Sequence, residues 1–212
     1  MKIQELLQEM AYPKSFNMEE FKSLTSFKKR LEYANTHLPR KIGSGSARTI
    51  FQIDDEKVLK LAKNNKGYHQ NKVEEDFYLQ GFDIIAKVYD FDQENHSYLE
   101  MELAKKVTKK RFKQLVGVSL EDVWNYLYNL KIQYNLKGVS KYDRMKELPE
   151  NIEDNPFIQE LKDIVLSYDM MVPGDFGRES TYGEVIRDGQ PAIVIVDFGL
   201  TNSVYDDFYK RV

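Results

Sequence analysis

Apolar residues recur along the chain with two different periods, and the change between them divides the sequence into three parts. In the first part the spacing is helical, with one apolar stripe over residues 21–31 and with Asn17 and Glu20 placed as an N-terminal cap. Pro39 ends this helical pattern, because proline cannot continue a helix. Residues 1–38 are therefore predicted to be a helical extension.

The second part, residues 39–104, has the composition of strands with one helix among them. β-Branched and small residues are followed by the polar turn Asp54-Asp55-Glu56 and by a second strand that contains Lys60. The predicted elements are strand, strand, helix, strand and strand, at residues 42–53, 58–61, 69–80, 84–91 and 97–103. This order predicts a small antiparallel sheet with one helix.

The third part, residues 105–212, is predicted to be mostly helical. Ser119 and Asn155-Pro156 mark two helix starts, and the polar stretch 137–153 is predicted to be a loop. The continuous apolar run 192–196 follows a turn and is typical of a buried strand. The whole chain is thus predicted to be α+β.

Composition and charge narrow the functional classes. The chain of 212 residues has a net charge of −3, which argues against general affinity for nucleic acid. It contains no cysteine, so disulfides and zinc–thiolate sites are excluded. No apolar run is long enough for a membrane span, and the N-terminus lacks the layout of a signal peptide. We expect a cytoplasmic protein without membrane or nucleic-acid partners.

Gly43-Ser44-Gly45 is a candidate phosphate-binding loop, although a plain turn would also use these residues. A dinucleotide fold places such glycines between a strand and a helix, whereas a strand follows here. A P-loop ends in Gly-Lys-Ser/Thr, which is absent. The remaining pattern is a glycine hairpin over the phosphates with its lysine in the next strand, and Lys60 is in that position.

These residues resemble the protein-kinase-like superfamily, particularly its short bacterial and phage members. The loop from Ile42 through Ile50 is similar to the kinase nucleotide loop, and Lys57-Val58-Leu59-Lys60 is similar to its lysine strand. The resemblance implies a two-lobed fold, with a sheet-rich N-lobe and a helical C-lobe, and it implies ATP and magnesium as cofactors. The residues that it places at the nucleotide are Ile42, Gly43, Ser44, Gly45, Ser46, Ile50, Val58, Lys60, Met101, Glu102 and Leu103.

The resemblance also implies the groups that carry phosphate transfer. A carboxylate from the following helix would pair with Lys60, and we prefer Glu74 over the adjacent Glu75. Asp197, in Asp-Phe-Gly after the apolar strand, resembles the metal-binding aspartate, with Ser180 as a second ligand. Asp175 resembles the catalytic base that receives the hydroxyl proton.

Several departures from the family pattern leave alternatives open. Arg48 replaces the third loop glycine, Pro173 replaces the catalytic-loop histidine, and Ser180 stands where asparagine is usual. The sequence ends soon after Gly199, so a truncated C-lobe is expected. The leading hypothesis is a minimal ATP-dependent kinase with a protein substrate. The alternatives are a pseudokinase that senses nucleotide or binds a partner, and a small-molecule phosphotransferase.

Overall fold

The computed structural model describes residues 13–210, which fall into two compact units. The N-terminal unit runs to Leu79 and includes Lys87–Leu103. The C-terminal unit contains Gln80–Ala86 and the chain from Ala104 onward. Each unit combines helices with an antiparallel sheet, which confirms the predicted α+β class.

The N-terminal unit is a five-stranded sheet with three described helices. The helices are α1 (Met18–Ser23), α2 (Phe27–His37) and α3 (Asn65–Tyr78). The strands are β1 (Arg40–Ser44), β2 (Arg48–Gln52), β3 (Lys57–Ala62), β4 (Val88–Phe91) and β5 (Tyr98–Glu102). Neighbouring strands are all antiparallel, and their order in the sheet is β1-β2-β3-β5-β4. Along the chain, α3 lies between β3 and β4.

The helical extension contains two helices where the sequence pattern predicted one. The Asn17 side chain caps α1 by accepting from the Glu20 amide, as predicted. Leu24 then adopts an extended conformation, and Ser26 caps α2 by accepting from the Lys29 amide. A short extended break hardly disturbs helical spacing. The apolar stripe over residues 21–31 therefore gave no indication of the break between α1 and α2. Residues 1–12 lie outside the described chain.

The two faces of the five-stranded sheet differ in chemistry. Alternation along β3 places Leu59 and Leu61 on one face and Val58 and Lys60 on the other. The first face packs on α1 and α2 to form a core cluster, whose buried members are Phe16, Phe21, Ala34, Leu38, Phe51, Ile53, Leu59, Leu61 and Tyr98. The second face therefore carries the polar groups that the sequence assigned to function.

The C-terminal unit has four α-helices and a small sheet in its described part. They are α4 (Lys109–Val116), α5 (Leu120–Gln133), α6 (Pro156–Ser167), α7 (Asn202–Phe208), β6 (Lys105–Lys106), β7 (Tyr182–Arg187) and β8 (Gln190–Ile195), with 3-10 turns at Ile152–Asp154 and Glu179–Thr181. The sheet order is β6-β7-β8. Asp188 and Gly189 form the two-residue β7–β8 turn, both with positive φ, as such turns require.

One strand is shorter than predicted. The structure confines the segment predicted over residues 84–91 to Val88–Phe91. Ile85 instead forms an isolated parallel bridge with Ile195 of β8, within the C-terminal unit. The apolar run around Ile85 is thus divided between two partners, which a period-2 pattern cannot reveal.

Within residues 13–210, no helix combines the length and apolarity needed to cross a membrane.

Gly67, in the first turn of α3, allows the β1–β2 loop to approach the helix. A Cβ atom at this position would lie 2.3 Å from the Ala47 carbonyl oxygen and 3.0 Å from the Ala62 Cα. Both neighbours are backbone atoms, so neither can rotate away. Glycine is required here by packing, although in an exposed helix alanine would be the better residue.

Replacing Gly67 by alanine is expected to lower the free energy of unfolding by about 1–3 kcal/mol, the usual cost of overpacking. The matched control is Gly45→Ala, because a Cβ at Gly45 meets nothing within 4 Å. That control is expected to change stability by less than about 0.5 kcal/mol. Urea denaturation of both variants measures the difference. A stabilising Gly67→Ala change would contradict the close approach.

Candidate functional site

Lys60 and Glu74 form a buried ion pair on the polar face of the sheet. The Lys60 Nζ lies 2.6 Å from the Glu74 Oε2, and the side chains are 3% and 0% exposed. Lys60 reaches this position because it is in β3, and Glu74 because α3 turns this face toward the strand. A lysine and a glutamate are seldom buried unless they are paired.

The structure also separates the two adjacent glutamates that the sequence left as alternatives. Glu75 points elsewhere, and its Oε2 lies 2.7 Å from the His96 Nδ1 in the β4–β5 connection. Asn71, one turn earlier on α3, donates to the His96 carbonyl. Glu74 is thus the carboxylate next to Lys60, and Glu75 links α3 to the β4–β5 connection through His96.

Arg48 is a third member of the cluster, which sequence reasoning did not find. Its Nη1 lies 2.8 Å from the Glu74 Oε1 and 3.4 Å from the Asn71 Oδ1. Its side chain is 8% exposed, so it is inside the unit and not over the loop. Strand alternation could have indicated this position, because Arg48 and Ile50 share a face of β2 and Ile50 is opposite Lys60.

Five of the eleven predicted nucleotide residues lie on the Lys60 face of the sheet, namely Gly43, Ile50, Val58, Lys60 and Met101. Cross-strand pairs join Gly43 to Ile50, Ile50 to Lys60, and Val58 to Met101. Paired residues of an antiparallel sheet project to the same face, so these side chains form one surface. Ile42, one position before Gly43, is half-buried in β1.

The loop between β1 and β2 is tight and is held from outside. The Gly45 amide donates to the Arg48 carbonyl at 2.9 Å. Ser44 lies 3.3 Å from the Thr49 hydroxyl, and the exposed Ser46 receives a bond from the Lys66 Nζ at 2.8 Å. Neither Gly43 nor Gly45 has a positive φ, so the loop does not need glycine for its backbone conformation.

The residues predicted as a hinge lie at the end of β5. The Glu102 amide donates to the Lys87 carbonyl at 2.8 Å, and the Leu103 amide donates to the Glu56 carbonyl at 2.6 Å. Leu103 is the last residue of the N-terminal unit. Both amides are therefore engaged within that unit.

Asp175 and Asp197 line the same small cavity of the C-terminal unit. The cavity has a volume of about 10 Å³, and the remaining lining residues are Met170, Met171, Phe176, Phe198 and Leu200. The two carboxylates come from distant segments, the turn after α6 and the end of β8. The sequence could not predict that they share a cavity, because their relative position depends on the path of the β7–β8 hairpin between them.

The Asp175 loop is fastened through its backbone. Thr181 Oγ1 donates to the Asp175 carbonyl at 2.7 Å, and the Tyr182 hydroxyl donates to the Phe176 carbonyl at 2.6 Å. Burial raises the pKa of Tyr182, so its hydroxyl remains a neutral donor. The Asp175 carboxylate lies 2.9 Å from the Arg178 Nη1, in a pair exposed enough to contribute little stability.

Ser180, the predicted second metal ligand, is in a different place. It is an exposed residue of the 3-10 turn Glu179–Thr181 and is absent from the lining of the Asp175–Asp197 cavity. Among residues 13–210, no group of three or more histidine, aspartate or glutamate side chains could hold a metal ion by itself. Asp197 supplies hard oxygen atoms, which fit magnesium, since that ion is usually bound by one or two carboxylates together with phosphates and water.

A larger concavity lies beside the Asp175 loop. It has a volume of about 430 Å³ and is lined by Lys109, Ser119, Leu120, Glu121, Trp124, Asn125, Lys146 and Gly177. A Cβ atom on Gly177 would lie 2.7 Å from the Trp124 Cδ1, so the indole packs directly on the loop. Gly177 is two positions after Asp175. The walls combine one aromatic plane with charged and polar groups.

No protein-family model matches the sequence, and no curated protein matches it at a significant level. Among solved structures, the chain is similar to APH(2")-IIa in a ternary complex with streptomycin and ATP, with 15% identity, a TM-score of 0.36, and coverage of 83% of this chain and 71% of that one. It is also similar to SAICAR-synthase from Saccharomyces cerevisiae complexed with SAICAR, with 14% identity, a TM-score of 0.36, and coverage of 76% and 73%. For the ADP-bound aminoglycoside phosphotransferase APH(2'')-Ib, the identity is 14%, the TM-score 0.31, and the coverage 82% and 69%. The likeness is partial and concerns the fold in outline; the interpretation of this site comes from its own strand order and side-chain contacts.

Glu74→Gln and Glu75→Gln are a matched pair of changes on neighbouring positions of α3. Glu74→Gln removes the carboxylate that both Lys60 and Arg48 contact, and is expected to lower the free energy of unfolding by about 3–5 kcal/mol. Glu75→Gln weakens one half-buried contact with His96 and is expected to cost about 1 kcal/mol. Denaturant titration at pH 7 measures both. Equal losses would mean that Glu74 has no special role.

Proposed function

We propose that this chain is an ATP-dependent phosphotransferase of the kinase-like type. The observation that carries the proposal is the buried Lys60–Glu74 pair, between the third strand of the sheet and the helix that follows it. A structural ion pair in this place would be costly to bury and easily replaced by apolar residues. A lysine held at a fixed position beside a glycine hairpin is suited to bind the phosphates of a nucleotide.

The N-terminal unit is assigned the binding of ATP. The Val58 and Met101 side chains, adjacent on the Lys60 face, supply an apolar surface for the adenine. In this proposal the carbonyl groups of Glu102 and Leu103 accept from its exocyclic amine, and the β1–β2 loop binds the phosphates. Glu74 fixes the direction of the Lys60 amine, so that little reorganisation is needed when phosphate binds.

The C-terminal unit is assigned the chemistry at the acceptor. In the proposed reaction, the acceptor hydroxyl oxygen forms a bond to the γ-phosphorus while the bond to the β–γ bridging oxygen breaks, and ADP leaves. Asp175 accepts the hydroxyl proton, and Asp197 provides the oxygen ligand for magnesium. The metal, when bound, neutralises charge on the phosphates. Both aspartates line one cavity, which supports a shared task.

Asparagine at either aspartate is expected to reduce phosphate transfer by about 100-fold or more, because each variant loses a proton acceptor or a metal ligand. The matched control is Asp188→Asn in the β7–β8 turn, which is exposed and has a positive φ that asparagine tolerates. Transfer is measured with γ-labelled ATP, and nucleotide binding by the thermal shift with ATP and magnesium. A wild-type protein that shifts with ATP yet labels nothing would favour the pseudokinase alternative.

The proposal also concerns the class of acceptor that receives the phosphate. A protein acceptor remains the leading hypothesis, and the concavity beside Asp175 favours a small molecule as the second candidate. Its volume of about 430 Å³ is in the range of small-molecule sites, and Trp124 offers a plane for a ring. Lys109, Lys146 and Glu121 provide charged groups around that plane.

The two acceptor classes are separated by fractionating a labelled cell lysate by molecular mass. A protein acceptor retains the label in the macromolecular fraction, whereas a small-molecule acceptor releases it into the filtrate. If the concavity binds a small acceptor, Trp124→Leu is expected to reduce filtrate label about tenfold with unchanged binding of ATP. Phe82→Leu, an aromatic change elsewhere in the same unit, is the control. Equal filtrate label in all three proteins would exclude the concavity as the acceptor site.

A further inference from the structure

We infer that Arg48 is a positioning residue that couples the β1–β2 loop to the Lys60–Glu74 pair. The loop and the ion pair would then keep one geometry before any nucleotide arrives. The effect on catalysis rests on the proposed function, whereas the coupling itself is a property of the N-terminal unit alone.

The two cations do not compete for Glu74. Arg48 contacts Oε1 at 2.8 Å, and Lys60 contacts Oε2 at 2.6 Å, so each carboxylate oxygen has its own partner. Glu74 is fully buried, and this makes any rotation that breaks one contact costly for the other. The direction of the Lys60 amine thus depends on the presence of Arg48.

Arg48 is also the residue at which the loop ends. Its carbonyl accepts the Gly45 amide at 2.9 Å and closes the loop, while its side chain reaches Glu74 and Asn71 on α3. One residue therefore contributes to both the loop closure and the ion pair. A glycine at this position could close the loop but could not contact the helix.

The tip of the loop is attached to the start of the same helix by separate contacts. The Lys63 amide donates to the Ala47 carbonyl at 2.8 Å, and the Asn64 side chain donates to the Ser46 carbonyl at 3.0 Å. Gly67 permits this approach. With the tip held at one end of α3 and Arg48 held near its middle, the loop follows the helix as one body.

Residue-resolved hydrogen exchange of the apo protein tests the coupling without any nucleotide. Arg48→Met removes the side-chain contacts and keeps most of the volume. The amides of Gly45, Lys63 and Glu74 are expected to exchange about tenfold faster together, because one opening event would expose them. The matched control is Arg30→Met, which removes an ion pair with Asp92 from a side chain that is 11% exposed. In that control the three amides are expected to keep their wild-type rates.

A second variant covers the case in which Arg48→Met fails to fold. Arg48→Lys keeps a cation near Glu74 and is expected to give exchange rates between those of the wild type and of Arg48→Met. Faster exchange in α3 with wild-type rates at Gly45 and Lys63, in either variant, would overturn the coupling. So would wild-type rates at all three amides.

The catalytic consequence is measured separately. Arg48→Met is expected to lower kcat about 100-fold with a smaller change in the KM for ATP, since misplacing a reacting group costs rate more than binding. Arg48→Lys should recover part of kcat. A matching loss in the Arg30→Met control would overturn the positioning role. If the wild type transfers no phosphate, the proposed function fails, and the exchange result still decides the coupling.

Discussion

The N-terminal unit depends on one buried carboxylate. Glu74 is inaccessible to solvent, and both of its oxygens contact cations, Lys60 and Arg48, which are themselves almost fully buried. Removing charges from water is expensive, and an ion pair repays this cost only with excellent geometry. The requirement for that geometry fixes the distance of α3 from the sheet and the direction of Lys60. It also explains why a small sheet can hold a charged cluster inside.

The opposite face of the same sheet makes this cluster possible. Apolar residues from β2, β3 and β5 pack there on the two helices of the extension, so the sheet is anchored by hydrophobic burial on one side. The alternation of β3 delivers Leu59 and Leu61 to that side and Lys60 to the other. The other face can therefore hold the buried charged groups Lys60 and Arg48 together with the apolar Val58 and Met101.

Local periodicity explains what the sequence could predict. Antiparallel strands on either side of one helix and the face of Lys60 follow from periods of 2 and 3.6, and the structure has them. The segment predicted as one strand over residues 42–53 is instead divided into β1 and β2 by the glycine loop. Glu74 was preferred over Glu75 because it shares a face with Asn71 and Phe77, and both of those residues are fully buried. The amphipathic pattern of α3 thus predicted which face of the helix is buried.

The remaining features depend on contacts between distant segments. Arg48 was noted in the sequence only as the replacement of the third loop glycine, because a strand pattern gives its face but not how far α3 lies from it. The shared cavity of Asp175 and Asp197 depends on how a hairpin returns the chain, and no period encodes that. Ser180 was chosen by counting along a family pattern, and it lies in an exposed position of a 3-10 turn and does not line the cavity.

The contact between Trp124 and Gly177 has a practical consequence. Trp124 is the single tryptophan of the chain, and its indole lies against a loop that is two residues from Asp175. Emission of this protein excited at the red edge of tryptophan absorption therefore originates at one known place. Any rearrangement of the Asp175 loop alters the surroundings of that indole, so the unlabelled protein contains its own optical reporter for this part of the C-terminal unit.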